Sequence, residues 1–161
     1  MSDSFKLHIP EILLADDDNE DCVLFQDALN DCQLATNLTT VRNGQELMDL
    51  LRTCEQLPDA LFLDINMPRK SGYECLVEIR KQKRLDSLPV IIITTSTEED
   101  VIDLVYEKGA QYYICKPTDY RYLVNFVRVA ITLITQRAPG KQLPQPQREK
   151  FVLSRVMVTK T

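Results

Sequence analysis

The sequence predicts an α/β protein with a doubly wound parallel sheet of five strands and five helices. Five short apolar runs alternate with longer amphipathic segments along the 161 residues. The apolar runs are nearly continuous, which is typical of parallel strands that are buried on both faces. Four of the five runs also end at a polar or charged residue. This arrangement is typical of a sheet that binds a ligand at the carboxyl ends of its strands.

The predicted strands are the five apolar runs, which in chain order are 12–15, 38–41, 60–63, 90–93 and 112–115. The segment after each run carries apolar residues at helical spacing, as Leu123, Phe126 and Val127 do after the fifth run. Strands joined by helices require right-handed crossovers. The second run is followed by Arg42 and Asn43, which contribute nothing similar to the acids, hydroxyl and lysine after the other runs, and this fits an edge strand. We therefore predict a flavodoxin-like sheet with strand order 2-1-3-4-5.

Helix boundaries are indicated by capping residues. The predicted N-caps are Asn43, Ser71, Thr97 and either Thr118 or Asp119. Gly109 stands where a helix is expected to end, because glycine tolerates the left-handed backbone that often follows a helix.

Charge and composition divide the chain into three parts. Residues 1–136 carry 13 basic and 23 acidic side chains, whereas residues 137–161 carry six basic residues and one acid. We predict an N-terminal tail at 1–9, one domain at 10–137 and a basic, proline-containing extension at 138–161. The extension ends in an apolar, β-prone stretch, 151–158. We expect that stretch to dock on the domain in cis or to pair across a homodimer.

Several classes of protein are disfavoured by composition. The acidic body argues against direct binding of nucleic acid, and the extension is too short and broken for a helix-turn-helix domain. No apolar run approaches the length of a membrane span, and residues 1–10 lack the apolar region of a secretory signal. The five cysteines are scattered and form no C-x-x-C pair. We therefore expect a cytoplasmic protein with free thiols.

The residues at the strand ends predict one polar cleft. Asp16 and Asp17 follow the first run, Asp64 the third, Thr94 the fourth and Lys116 the fifth. Oxygen ligands from different strands suit Mg²⁺, whereas a lysine and a hydroxyl suit a phosphoryl group. The central carboxylate, Asp64, is placed to attack phosphorus and form an acyl phosphate.

These residues together resemble a response-regulator receiver domain of two-component systems, over roughly residues 10–136. The matching pieces are the acidic pair Asp16-Asp17, the D-x-N-M-P-x-x-x-G stretch at 64–72, Thr94, Tyr113 and the dipeptide Lys116-Pro117. The chain is similar to the single-domain chemotaxis type. A weaker resemblance, in the loop at 94–100, is to the small receivers that serve phytochrome-type kinases.

The resemblance implies a role for each matching position. Asp64 would be the phosphoacceptor, and Mg²⁺ would bind Asp16, Asp17, Asp64 and the backbone carbonyl of Asn66. Lys116 would pair with the phosphoryl group, Thr94 would hydrogen-bond it, and Tyr113 would turn inward in response. The neighbouring loops would contribute Thr95, Pro68, Gly72 and Pro117.

Two of these assignments have competitors in the sequence. Thr95 and Ser96 also offer hydroxyls after the fourth run, but Thr94 follows it directly. Thr95 is larger than the residue most receivers carry there, so it could slow the phosphoryl chemistry. Tyr112 and Tyr113 point to opposite faces of the predicted strand, so only one of them can face the switch surface.

We therefore expect a stand-alone response regulator, a signalling switch rather than an enzyme, that assists its own phosphorylation and dephosphorylation. A histidine kinase or phosphotransfer protein would phosphorylate Asp64 with Mg²⁺ as cofactor, and an unknown downstream protein would bind a face near the fourth helix and fifth strand. One alternative is a non-phosphorylated scaffold. Another is an aspartate-nucleophile phosphatase, which expects a second acid where Asn66 stands. A flavin-binding protein is disfavoured because the first loop is acidic.

Overall fold

The computed structural model describes residues 8–136 and 143–154. Strands and helices alternate strictly through the first of these ranges. The strands are β1 (Glu11–Ala15), β2 (Asn37–Val41), β3 (Ala60–Leu63), β4 (Val90–Thr94) and β5 (Tyr112–Cys115). The helices are α1 (Asn19–Asp31), α2 (Gly44–Thr53), α3 (Gly72–Lys81), α4 (Glu99–Glu107) and α5 (Tyr120–Thr135). All neighbouring strands are parallel and lie in the order β2-β1-β3-β4-β5, which confirms the predicted fold class and strand order.

The sheet separates two hydrophobic layers, because successive strand residues point to opposite faces. Ile12 and Leu14 of β1 pack in the layer that contains α1 and α5. Leu13 and Ala15 pack in the layer that contains α2, α3 and α4. The central strands β3 and β4 are buried along their whole length, as the unbroken apolar runs predicted.

Side-chain caps fix most helix starts. Asn43 accepts a hydrogen bond from the Glu46 N–H at 2.8 Å, and Ser71 forms a capping box at the start of α3. Asp119, not Thr118, caps α5. The prediction of Thr97 as an N-cap was wrong: α4 starts after Glu98, whose N–H donates to the Ser96 hydroxyl at 3.3 Å.

Residues 143–154 return to the exposed edge of β5. The Tyr113 N–H donates to the Phe151 carbonyl at 3.1 Å, and the Leu153 N–H donates to the Tyr113 carbonyl at 2.9 Å. Val152 thereby forms a parallel bridge with Tyr113. The docked part of the extension covers a sheet edge that would otherwise offer unpaired backbone groups. The rest of the apolar stretch, 155–158, lies outside the described residues.

None of the helices in the described ranges is long and apolar enough to cross a membrane.

Candidate functional site at the carboxyl edge of the sheet

The register of the sheet brings the predicted site residues together. Ala15 lies opposite Leu63, and the Asp64 N–H donates to the Ala15 carbonyl at 3.0 Å. On the other side, the Lys116 N–H donates to the Thr94 carbonyl at 2.8 Å. The residues that end or directly follow β1, β3, β4 and β5 therefore lie at one edge, as their positions in the sequence predicted.

Three carboxylates form a cluster at this edge. One oxygen from each of Asp16, Asp17 and Asp64 lies within 4.8 Å of the others. Asp16 and Asp64 are buried, whereas Asp17 is exposed. Like charges at about 4 Å repel by roughly 4 kcal/mol at an effective dielectric of 20, so the cluster favours a cation. Carboxylate oxygens with one solvent-facing side fit Mg²⁺ or Mn²⁺, which keep water among their ligands.

Burial changes the pKa of Asp16, the most buried of the three carboxylates. Asp16 is 2% exposed, and burial raises its pKa above the ordinary value. Two contacts oppose that effect: the Asp18 N–H donates to Asp16 Oδ1 at 3.0 Å, and Lys116 Nζ lies 2.9 Å from Oδ2. The carboxylate of Asp16 is therefore held by specific donors in a setting that disfavours its charge.

Lys116 is the cation of the site. Its Nζ lies 2.8 Å from Asp21 Oδ2, 2.9 Å from Asp16 Oδ2 and 3.3 Å from Asp64 Oδ2. Burial by itself lowers the pKa of Lys116, but the hydrogen bonds to Asp21 and Asp16 and the charge of Asp64 outweigh it. The pKa is therefore raised above its ordinary value, and the ammonium stays charged at any physiological pH.

Asp21 is the site residue that the sequence did not reveal. The sequence suggested only that Glu20 and Asp21 would interact favourably with the N-terminus of α1. The signal for a further role was its position, one helical turn after the acidic pair, where a side chain can point back to the strand ends.

Thr94 is the last residue of β4 and is fully buried. Among the residues that the structure describes, its Oγ1 is the buried side-chain oxygen that lacks a hydrogen-bond partner. An unpaired buried hydroxyl costs free energy, so it indicates an acceptor or donor that arrives from outside the chain.

The two tyrosines of β5 face opposite layers. Tyr112 packs in the layer of α1 and α5, and Tyr113 in that of α4. The Tyr113 hydroxyl donates to the Ser96 carbonyl at 2.8 Å, in the loop between β4 and α4. Burial raises the pKa of Tyr113 to about 12. The side chain is already turned inward, and its hydroxyl contacts the loop between β4 and α4 rather than the carboxylate cluster.

The neighbouring loop residues take different positions. Thr95 is exposed and lines a cleft with Asn66. The Asn66 N–H lies 3.4 Å from Asp64 Oδ1. Gly72 packs so closely against the Asp64 carbonyl that a Cβ would overlap it.

Pro117 lines a small cavity together with Lys116. Pro68 lies in the loop after β3, where its carbonyl accepts from the Lys70 N–H at 2.8 Å. The two prolines therefore lie in the segments that follow β3 and β5.

Comparisons with known proteins agree with this geometry. Residues 12–128 match the model of the response regulator receiver domain. The probable methanogenesis regulatory protein FilR2 of Methanothrix harundinacea is 31% identical over 120 residues, which cover 72% of this chain and 77% of FilR2. The response regulator Rcp1 of Synechocystis is 31% identical over 122 residues, which cover 73% of this chain and 83% of Rcp1.

Two solved structures extend the comparison. The phosphorylated cyanobacterial phytochrome response regulator RcpA superposes with a TM-score of 0.75 at 32% identity, covering 81% of this chain and 97% of RcpA. The Mn²⁺-bound form of Rcp1 superposes with a TM-score of 0.69 at 28% identity, covering 84% of this chain and 99% of Rcp1. The chain therefore belongs to the response regulator receiver domain family, whose members take a phosphoryl group onto an aspartate in two-component signalling.

Proposed function

We propose that Asp64 is the phosphoacceptor and that Mg²⁺ is the cofactor of its phosphorylation. The observation that supports this most strongly is the convergence of Asp16, Asp17, Asp64 and Lys116 at one edge of the sheet. The three carboxylates, with the backbone carbonyl of Asn66, would hold the ion. Bound there, it would neutralise charge on the phosphoryl oxygens.

The chemistry requires a nucleophile that attacks the phosphorus and cations that pair with the phosphoryl oxygens. A carboxylate oxygen of Asp64 attacks the phosphorus of a phosphohistidine. The new O–P bond forms as the P–N bond breaks, and the imidazole leaves with the electron pair and takes up a proton. Lys116 then pairs with a phosphoryl oxygen, and the Thr94 hydroxyl donates to another.

The donor in this proposal is a histidine kinase or a phosphotransfer protein in the cytoplasm. One relative, RcpA, is described as a cyanobacterial phytochrome response regulator, so a phytochrome-type kinase is the first donor to test. Residues 10–137 would form the receiver, which assists its own phosphorylation and dephosphorylation without another catalytic activity.

The output surface is the face formed by α4 and β5. Tyr113 links it to the phosphoryl site, because its hydroxyl contacts the loop that follows Thr94. The docked extension, 143–154, already occupies the edge of β5. A downstream protein, or a second copy of the chain, would therefore meet a surface that the extension helps to build.

The test is intact mass spectrometry after incubation with acetyl phosphate, with and without Mg²⁺. We expect one phosphoryl adduct in the wild-type protein, none in Asp64→Asn, and none when Mg²⁺ is chelated. An adduct that persists in Asp64→Asn would contradict the assignment. A wild-type protein that binds Mg²⁺ but is phosphorylated by no donor would favour the scaffold alternative.

A further inference from the structure

Asp21 makes the shortest contact to the ammonium of Lys116. The distance between Lys116 Nζ and Asp21 Oδ2 is 2.8 Å, against 2.9 Å to Asp16 and 3.3 Å to Asp64. The Lys116 side chain is 14% exposed and that of Asp21 is 33% exposed. The ion pair is therefore shielded from water on the lysine side, where screening by salt is weak.

Helix capping does not account for the orientation of Asp21. In a capping box, the acid at the third helical position accepts from the N–H of the N-cap residue. Here the N-cap residue is Asp18, and its N–H donates to Asp16 Oδ1 at 3.0 Å. The Asp18 carboxylate in turn accepts from the Asp21 N–H at 2.9 Å, which fixes the backbone of Asp21. The carboxylate of Asp21 does not accept the N-cap N–H and instead contacts Lys116.

The three acceptors of the ammonium are not equivalent. Asp16 and Asp64 belong to the cluster of carboxylates with Asp17, whereas Asp21 does not. A divalent cation at the cluster would compete with Lys116 for Asp16 and Asp64 but would leave Asp21 available. Of these three acceptors, Asp21 is therefore the one that can hold the lysine whether or not a cation occupies the cluster.

We infer that Asp21 is a positioning residue that retains Lys116 beside Asp64 when the cluster carboxylates bind a divalent cation. The inference deepens the proposed function and rests on it. Without the Asp21 charge, the ammonium is drawn to Asp16 and Asp64 alone. There it repels the divalent cation that binds the same carboxylates. Loss of Asp21 should therefore weaken Mg²⁺ binding and misplace the lysine for the phosphoryl group.

The experiment measures Mg²⁺ affinity by titration calorimetry in Asp21→Asn, which keeps the shape of the side chain and removes its charge. We expect affinity to fall about tenfold, the lower end of the range for groups that orient metal sites. The rate of phosphorylation by acetyl phosphate at saturating Mg²⁺ should fall as well. The matched control is Glu20→Gln, the same loss of charge at an exposed neighbour in the first turn of α1.

A second pair of variants tests whether Asp21 acts through the lysine. In a Lys116→Met background, Asp21→Asn should change Mg²⁺ affinity no more than Glu20→Gln does. An equal loss of affinity with and without Lys116 would overturn the inference, and so would a wild-type affinity in Asp21→Asn. If the wild-type protein itself binds Mg²⁺ but takes up no phosphoryl group, the proposed function fails, while the calorimetry still decides the role of Asp21.

Discussion

Two edges of the sheet differ in how completely their polar groups are hydrogen-bonded. The acidic edge is the carboxyl edge that carries Asp16, Asp17 and Asp64, and the covered edge is the side of β5 on which residues 143–154 lie. At the acidic edge, three carboxylates lie within 4.8 Å of one another, and the buried hydroxyl of Thr94 has no partner among the described residues. At the edge of β5, the Gln145 amide donates to the carbonyls of Tyr106 and Ala110 at 2.7 Å each. The Tyr106 hydroxyl donates to a carbonyl of the docked segment at the same distance.

The covered edge is also closed by apolar and charged contacts. Phe151 is fully buried between Tyr106 and Tyr113, with ring centroids 5.0 and 6.0 Å away. Arg148 pairs with Glu99 and Asp103 of α4 at 2.8 Å each. The two edges therefore have different roles. The acidic edge keeps unsatisfied groups for a ligand at a cost in stability, whereas the covered edge contributes stability.

The largest expected effect on stability is at Phe151. Phe151→Ala removes a fully buried ring from the layer that contains Tyr113, which should lower the free energy of unfolding by about 3–5 kcal/mol. Urea denaturation followed by far-ultraviolet circular dichroism measures this, since the chain contains no tryptophan. The acidic edge is untouched, so the folded variant should still take up one phosphoryl group from acetyl phosphate.

Val152→Ala is the matched control, because Val152 is only half-buried and its backbone makes the bridge to Tyr113. It should cost about 1 kcal/mol or less, in keeping with partial burial of its methyl groups. Equal losses in the two variants would mean that the backbone pairing, and not the ring, holds the segment. If neither variant lost stability, the covered edge would not be a stabilising part of the fold, and the contrast between the edges would be wrong.

The second prediction concerns Tyr113, which belongs to both regions. Its pKa is about 12 in the folded protein and 10.0 ordinarily, so the folded state holds the phenol proton more tightly. This contribution to stability is complete below pH 10 and is lost as the pH rises towards 12. Tyr113→Phe should cost about 1 kcal/mol at pH 8, through the lost hydrogen bond to Ser96.

Above pH 10 the difference in stability between the two proteins should shrink and then reverse, because the variant has no phenol at position 113 to titrate. The wild-type protein should lose about 2 kcal/mol relative to Tyr113→Phe between pH 9 and 12. Urea midpoints at matched pH values measure the difference. Parallel pH curves for the two proteins would contradict the buried, proton-retaining environment.

The sequence carried more information about the fold and the strand-end residues than about side chains that approach from helices. Strand order and the convergence of Asp16, Asp64, Thr94 and Lys116 followed from periodicity and from parallel-sheet geometry. These features depend on local pattern and on a general rule for parallel sheets. Asp21 was missed because its direction depends on which carboxylate accepts the Asp18 N–H, a tertiary choice that no spacing specifies.

The extension illustrates a second limit. Its β-prone stretch predicted pairing, but not the partner strand or the choice between cis docking and a dimer. The cis arrangement depends on Arg148 and Phe151 meeting α4 and Tyr113, contacts between residues more than 35 positions apart. The division of the chain at 137 remains a prediction, since α5 ends at Thr135 and residues 137–142 lie outside the described ranges.

The last prediction concerns Thr94, where the expected effect on stability is small and has the opposite sign. Thr94→Val replaces a buried hydroxyl, which has no partner among the described residues, by a methyl group of similar size. The free energy of unfolding should rise by about 1 kcal/mol, because an unsatisfied polar group leaves the interior. The same change should shorten the lifetime of the phosphoryl group on Asp64, which loses the hydroxyl proposed to bind it. Urea denaturation and the decay of the adduct in intact-mass spectra measure the two effects.

Thr39→Val is the control, because it makes the same substitution in the edge strand β2, where the residue is exposed. That variant should change neither stability by more than about 0.5 kcal/mol nor the decay of the adduct. A loss of stability in Thr94→Val would mean that its hydroxyl already has a partner in the unphosphorylated protein. A gain in stability with an unchanged decay would assign the phosphoryl contact to Thr95 or Ser96 instead. Only a gain in stability with a faster decay fits an acidic edge that keeps an unpaired group for its ligand.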